Sequence, residues 1–478
     1  MAVKDISKFF VYRWRYILGY SLIGLLLAAL LFFVGLFVPG GLSSAEIDAA
    51  TRSAAIAFDT PSTLAIASLP YYMIQATFFH FFGISDLTIK LPSIILALIS
   101  AVGLVFLLRR WFTQNIAVLA SLVAITTGQF LFVAQTGTDS ILYIFWPVVL
   151  LLLGTQITRN ARWSMLWKVL FVIAAALSLY TPLSIYPLLA VALTTALHPH
   201  LRNAVRRLSK SHLAICAAIG LVLLAPLIFL LTVSPSLGAT LLGIQVAWPI
   251  DLGANVSLLL GQYLLFWEPS TTNLMTPVFG LGSVLIIGLG LYRIIRTYET
   301  TRSYLLLIWS ACLIPVLLIN PVFVTVLFVP AVLLIAAGLT SLITYWYQLF
   351  PRNPYARIAG LIPLIILIGT LSISGLDRYM FGYHYNPNTA ANFSKDLRLL
   401  PGDTTTLIVA PEEQPFYESV AKYNDSLIVV TTIPENIDQF TTTHETNASY
   451  DGYTVERIVT NSYSNDSDRF YLYQKTEK

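Results

Sequence analysis

The chain has 478 residues, 56% of them hydrophobic and only 11% charged, with a mean hydropathy of +0.74. A soluble domain carries about 25% charged residues, so this chain cannot cover a globule in polar surface and most of it must be solvated by lipid. The net charge of +4 is small and sits in short loops, which excludes nucleic acid as a partner and marks membrane sidedness instead.

In chain order, Lys4, Lys8, Arg13 and Arg15 precede an apolar run over 17–38. That run is too long for a signal-peptide core and reads as a retained signal anchor. Further apolar runs lie near 90–108, 115–133, 140–157, 166–182, 184–198, 213–233, 277–294, 303–319, 321–341 and 358–374. Together they predict about eleven membrane-spanning helices, hence a mainly α polytopic bundle. If the spans alternate, Arg109-Arg110 and the basic loops 159–168, 202–210, 293–302 and 352–357 share the side of the basic N-terminus. The loops at 135–139, 180–182, 234–276 and 320–321 are nearly free of Lys and Arg. The positive-inside rule then places the N-terminus in the cytoplasm of a cell-membrane protein, and the first loop and C-terminal tail outside it.

The first outer loop holds two stretches of helical apolar spacing, 46–58 and 70–82, suited to lying in the interface plane. Its aromatic cluster, Tyr71, Tyr72, Phe78, Phe79, Phe81 and Phe82, fits that depth. The loop over 234–276 carries Trp248, Trp267 and Glu268, and an outer loop of that length is commonly functional. Cys216 and Cys312 lie in apolar runs and read as packing residues. The six histidines show no zinc-site spacing. After Gly375 polar residues become frequent, which divides the chain into a transmembrane domain, 1–375, and a small extracytoplasmic α/β domain, 376–478. In the latter, 404–410, 426–432, 454–460 and 470–474 read as strands, and 412–423 and 434–440 as helices.

Three acid-bearing or aromatic pieces follow one another outside the membrane. They are Ser43-Ser44-Ala45-Glu46-Ile47-Asp48, Leu69-Pro70-Tyr71-Tyr72, and Phe82-Gly83-Ile84-Ser85-Asp86 running on to Lys90-Leu91-Pro92-Ser93. A short loop ending in Asp139 comes next. In this order they resemble the GT-C glycosyltransferases, and more narrowly the protein mannosyltransferase and aminoarabinose transferase branch (glycosyltransferase family 39-like). The resemblance covers about the first 200 residues in useful detail. It implies a membrane glycosyltransferase that moves a sugar from a polyprenyl-phosphate donor to a hydroxyl of a lipid, protein or polysaccharide outside the membrane, with no cofactor identified.

On that resemblance Glu46 is the catalytic base and Asp139 the second acid that orients it. Tyr71 or Tyr72 lines the donor pocket, Lys90 contacts the phosphate and Glu268 a sugar. Each residue also has a purely structural reading. Glu46 follows Ser43 and Ser44 as a helix N-terminal acid, and Asp139 precedes Ser140-Ile141-Leu142 as a cap. Asp86 and Lys90 stand i, i+4 and can pair, and Glu268 fits an interfacial belt. Asp48, two positions from Glu46, points away from it on a helix. The chain departs from the branch in three places. Ala45 replaces the first acid of its Asp-Glu pair, the late Arg falls near Phe323 by spacing to Pro330, and Tyr180-Thr181-Pro182 stands where a Lys is usual. A non-catalytic scaffold with the same bundle is therefore the rival reading. A transporter is the third, disfavoured because no paired broken helices occur in matching halves.

Overall fold

The computed structural model describes residues 17–31 in part, and 41–57, 59–159, 163–244, 249–266, 275, 277–350, 355, 359–383, 393–424, 426–434, 437–460 and 469–476. The expected first span over 17–38 falls mostly outside the described residues. The part within them buries Leu27 and Leu31 in the bundle. After it come strand β1 (Leu42–Ser43), helix α1 (Ser44–Ala54), helix α2 (Leu69–Phe82) and helix α3 (Asp86–Trp111). Next are α4 (Gln114–Ile125), α5 (Gly128–Gln135), α6 (Leu142–Thr158), α7 (Ser164–Ser178), α8 (Ile185–Leu197), α9 (Pro199–Arg206) and α10 (Lys210–Val233). Helices α11 (Leu252–Leu264), α12 (Leu281–Arg296), α13 (Thr301–Ile319), α14 (Phe328–Leu349) and α15 (Leu361–Asp377) complete the bundle.

The protein is a membrane-spanning helical bundle. Among the described residues, six helices are long and apolar enough to cross a bilayer, and seven if the bent pair α4–α5 counts as one span. That pair turns by 59° at Thr126-Thr127, where Thr127 caps α5 by accepting from the Phe130 N–H. Helices α7, α8 and α12 coincide with expected spans but are 15, 13 and 16 residues long. At about 1.5 Å per residue each is shorter than the roughly 30 Å hydrocarbon core. Helix α3, with 26 residues, is about 39 Å long and runs the full depth.

Contacts at the lower end of α3 gather the basic loops on one face. Arg159 donates to the Arg110 carbonyl at 2.8 Å, and Arg302 donates to that of Trp111. The N-terminus of α3, with Asp86, lies at the opposite face. The long loop after α10 is partly helical, and Asn255 of α11 ties it to the Leu318 and Ile319 carbonyls at 2.9 and 3.0 Å.

The C-terminal segment forms β2 (Phe393–Lys395), β3 (Thr406–Ile408), helix α16 (Gln414–Ala421), β4 (Ile428–Val430), β5 (Gln439–Thr443), β6 (Tyr453–Thr460) and β7 (Arg469–Lys475). The last five strands make one mixed sheet in the order β4-β3-β5-β7-β6. β3 is parallel to β4 and β5, and β7 antiparallel to β5 and β6. The expected helix over 434–440 is corrected here: its last two residues begin β5, and 435–436 lie outside the described residues. The reason is lateral. Phe440 pairs with Tyr473 across the antiparallel ladder, their rings stacked at 5.1 Å. The three threonines that follow are β-branched and favour a pleat over a helix.

This sheet region is fastened to the segment over 41–85, so both lie on the same face of the bundle. β1 pairs antiparallel with β2. Gly41 makes that approach possible, since a Cβ there would sit 1.9 Å from the Lys395 carbonyl oxygen. Lys422 donates to the Ala54 carbonyl at 2.6 Å. Asp86 accepts from the Leu397 N–H at 3.3 Å and lies 3.2 Å from Arg398 Nε. The Asp86–Lys90 pairing expected from spacing thus gives way to ties at longer range. One apolar cluster, including Leu42, Ala50, Phe79, Phe416 and Phe470, is shared between loop and sheet. Asp396 belongs to the same joint. Its burial alone would raise its pKa, but the Arg398 guanidinium and Asp86 outweigh burial and hold the carboxyl below its ordinary value.

Gly41→Ala is expected to loosen the joint by about 1–3 kcal/mol, the usual cost of overpacking. Limited proteolysis of the detergent-solubilised protein should cleave the 393–476 region faster than in wild type. Equal cleavage rates would show that the β1–β2 approach does not hold the two parts together.

Candidate active site

Helix α1 positions two sets of side chains. Its buried residues, Glu46, Ala49, Ala50, Ser53 and Ala54, follow a 3–4 residue spacing and form one stripe. Asp48 and Arg52, one turn apart, lie on an exposed face.

Ser43 and Glu46 form a capping box at the start of α1. Glu46 Oε2 accepts from the Ser43 N–H at 2.9 Å and the Ser43 hydroxyl at 3.0 Å. The other oxygen, Oε1, accepts from the Gly137 N–H at 2.7 Å and lies 3.8 Å from Lys90 Nζ. Glu46 is only 1% exposed, and these partners satisfy a charge that would otherwise be costly to bury. The helix-terminal reading of Glu46 describes what is seen here, and the carboxylate also reaches into the loop that carries Asp139.

That loop is held from several sides. Gln75 of α2 donates to the Gly137 carbonyl at 3.3 Å and the Ile89 carbonyl at 2.8 Å, while accepting from Ser53 at 2.5 Å. The Ser93 hydroxyl donates to the Thr138 carbonyl at 3.1 Å and lies 2.8 Å from the Tyr71 hydroxyl. Gly137 is pressed against α3, where a Cβ would meet Ile89 Cγ2 at 2.6 Å. The N–H and the carbonyl of Gly137 are both held, and the chain enters the turn Asp139–Ile141 in one geometry.

Asp139 opens that 3₁₀ turn, half-buried. The Ser68 hydroxyl faces its carboxylate without meeting hydrogen-bond geometry, and the Arg52 guanidinium is the positive charge that acts on it. Tyr71, Tyr72 and Tyr143 all feel its charge. Ser68 holds a left-handed φ of +58°, a conformation costly for a non-glycine residue. Its N–H donates to the Tyr180 carbonyl at 2.7 Å. Thr181, in the same hairpin, accepts from Trp146 at 2.9 Å.

The two tyrosines expected to line a donor pocket diverge. Tyr71 is fully buried and bonded to Ser93. Tyr72 is 4% exposed and faces Arg52, Asp139 and Asp48. Burial raises the pKa of both phenols, with Asp139 adding to it; Ser93 opposes the shift at Tyr71 and Arg52 at Tyr72. Both therefore stay protonated at working pH and cannot be bases. Phe323 packs edge-on against Tyr143 at 5.9 Å, so the position where the branch has its late Arg does border the Asp139 cluster, with an aromatic ring in its place. Glu268 lies outside the described residues. The interfacial aromatics split: Phe79 turns inward, while Phe81 and Phe82 are 72% and 67% exposed.

Arg52 was not singled out from the sequence, and one signal could have found it. Between residues 39 and 89 it is the only Lys or Arg, a lone cation where sidedness disfavours one. Among the described residues it has no carboxylate within 4 Å. Gln75, Ser68 and Ser93 carry no such mark, because their roles depend on partners far along the chain, such as Ile89 and Gly137 for Gln75, Thr138 for Ser93 and Tyr180 for Ser68.

With this geometry in hand, comparison with known proteins is informative. Residues 67–229 match the family of dolichyl-phosphate-mannose-protein mannosyltransferases. ArnT from Cupriavidus metallidurans in the apo state has a similar fold, with TM-score 0.51 and 11% identity over 95% of this chain and 97% of that one. The same enzyme bound to undecaprenyl phosphate gives 0.53 and 11%, over 95% and 98%. The archaeal oligosaccharyltransferase AglB from Archaeoglobus fulgidus, in complex with an inhibitory peptide and a dolichol-phosphate, gives 0.50 and 12%, over 91% and 70%. No curated protein sequence matches the chain. The resemblance read from the sequence, to the GT-C glycosyltransferases and their mannosyltransferase/ArnT-like branch, therefore holds for the fold.

Glu46→Ala removes the acceptor for three donors and leaves Lys90 without its partner. A loss of about 3 kcal/mol is expected for breaking such a buried charged network. Thermal unfolding in detergent should show a clear drop in Tm for Glu46→Ala and a smaller one for Glu46→Gln, which keeps one carbonyl acceptor. Two unchanged melting curves would refute the clamp.

Proposed function

We propose, from a GT-C fold carrying a carboxylate and an unpaired guanidinium at one outer-face cluster, that the protein transfers a sugar from a polyprenyl-phosphate carrier to an acceptor hydroxyl. The observation that supports this most is the convergence of Asp139, Arg52 and Tyr72 at the end of the bundle where the first loop and the C-terminal sheet meet. The fold neighbours bound to undecaprenyl phosphate and dolichol-phosphate supply the carrier class. By the positive-inside rule this face is extracytoplasmic, and 376–478 is an outer domain. The acceptor is a hydroxyl of a lipid, protein or polysaccharide.

An acceptor hydroxyl is a weak nucleophile, and a carboxylate within hydrogen-bond reach removes its proton as the oxygen attacks the anomeric carbon. The bond from that carbon to the phosphate oxygen breaks, and the electron pair leaves with polyprenyl phosphate. The leaving phosphate gains negative charge, so it needs cations and donors more than an acid. Attack from the face opposite the phosphate inverts the anomeric centre.

The residue roles follow from what each group has free. Glu46, expected as the base, has its oxygens engaged by Ser43, Gly137 and Lys90. It is better suited to hold the 136–138 loop in place than to take a proton. Asp139 is the carboxylate left to serve as base, with Arg52 as the phosphate ligand and the Tyr72 hydroxyl as a further donor. Lys90, expected at the phosphate, instead balances Glu46. Ala45 and Phe323 leave the site with fewer charged groups than the branch pattern, and these two positions favour the scaffold reading if transfer is absent.

The deciding experiment is sugar transfer in membranes supplied with radiolabelled polyprenyl-phosphate sugars. Asp139→Asn should lower kcat by about 100-fold or more, the range for loss of a general base. Arg52→Ala should raise the donor KM by about 10- to 100-fold, the value of a charge-assisted contact. Wild-type rates in Asp139→Asn would remove Asp139 from this role, and no transfer by wild type with any carrier sugar would favour the scaffold.

A further inference from the structure

A cavity of about 1120 Å³ lies not at the Asp139 site but at the other end of α3. Helices α3, α6, α7, α8, α10 and α13 all bring their basic-loop ends to it. Its interior is apolar, with Leu150, Phe171, Leu188 and Val191 among the walls. Its rim carries Arg110, Arg159, Lys168, Arg202, Arg206 and Arg302.

Six cations around one opening repel one another, and the usual remedy is interleaved carboxylates. Here there are none: among the described residues, no Asp or Glu lies within 4 Å of any of the six. Two of the guanidiniums are instead fixed by carbonyls at the end of α3, Arg159 on Arg110 and Arg302 on Trp111. Their positions are set while their charge stays uncompensated. Helix α9 (Pro199–Arg206) supplies Arg202 and Arg206 and buries none of its residues, as expected of a short helix lying in the headgroup layer. The volume slightly exceeds the roughly 300–1,000 Å³ of most small-molecule pockets.

We propose that this cavity binds one anionic phospholipid of the leaflet facing the basic loops, with an acyl chain among the apolar walls and the phosphate at the cationic rim. Charge complementarity selects the headgroup, because a zwitterionic lipid would leave the rim unneutralised. The apolar depth selects a lipid over a free anion, because inorganic phosphate would leave those walls in contact with water. The positive-inside rule makes this the cytoplasmic leaflet. The site is thus separate from the carrier site by the thickness of the membrane, and it does not depend on the transferase reading.

The test is native mass spectrometry of the full chain in detergent, titrated with dioleoylphosphatidylglycerol, dioleoylphosphatidylcholine or inorganic phosphate. Wild type should retain one phosphatidylglycerol with a preference of about ten-fold or more over phosphatidylcholine. The exposed double variant Arg159→Gln/Arg206→Gln should lose that preference. Val191→Trp, which fills the chain-binding depth while leaving the rim intact, should lose retention of the lipid itself. Equal retention of the two lipids by wild type would overturn the proposal, as would an undiminished preference in the double variant. Binding of inorganic phosphate as tight as that of phosphatidylglycerol would replace the lipid with a free anion.

Discussion

The carboxylate of Glu46 is the interaction on which the Asp139 end of this protein depends. It lies at the first turn of α1, where helix geometry leaves backbone donors unsatisfied, and it spends one oxygen on them. The other oxygen crosses to a loop 91 residues later and takes the Gly137 N–H. A single buried anion thus fixes the start of a helix and the register of the turn presenting Asp139. Lys90 supplies the compensating charge. Gln75 holds the carbonyl of the same residue.

Around this clamp the architecture is cooperative in a simple sense. The first loop would be a poor platform alone, because α1 is short and one of its faces is polar. It becomes rigid because the C-terminal sheet packs on it, through the β1–β2 pairing, the Asp86–Arg398 contact and a shared apolar cluster. The bundle beneath supplies α3, which carries Lys90 and Ser93 to the Glu46 end and Arg110 to the other. One long helix therefore links a site that concentrates opposite charges with a cavity that concentrates like charges.

Much of the fold was legible from the sequence because lipid solvation leaves a strong trace: long apolar runs, and cations confined to alternate loops. The C-terminal strands were legible from β-branched and aromatic runs. The 434–440 segment was not, because its strand character comes from pairing Phe440 with Tyr473, which no local pattern records. The order of short motifs singled out Glu46 and Asp139, and the structure joins these two residues through Gly137 and its loop. Which of the two carboxylates is engaged by neighbours was not legible. It depends on which carboxylate finds partners in space, and the Ser43 and Gly137 donors become visible only once α1 is capped and the loop is closed. Arg52 stands out in the sequence only as a lone cation, and what it faces becomes visible when Tyr72 and Asp139 are seen beside it.

The most direct measurement is a structure of the full chain with a polyprenyl phosphate bound. The account predicts the phosphate within hydrogen-bond distance of the Arg52 guanidinium, Asp139 facing the space beyond it, and Glu46 still bonded to Gly137. A phosphate seated away from Arg52, or a Glu46 carboxylate released from Gly137 and turned toward the carrier, would contradict it.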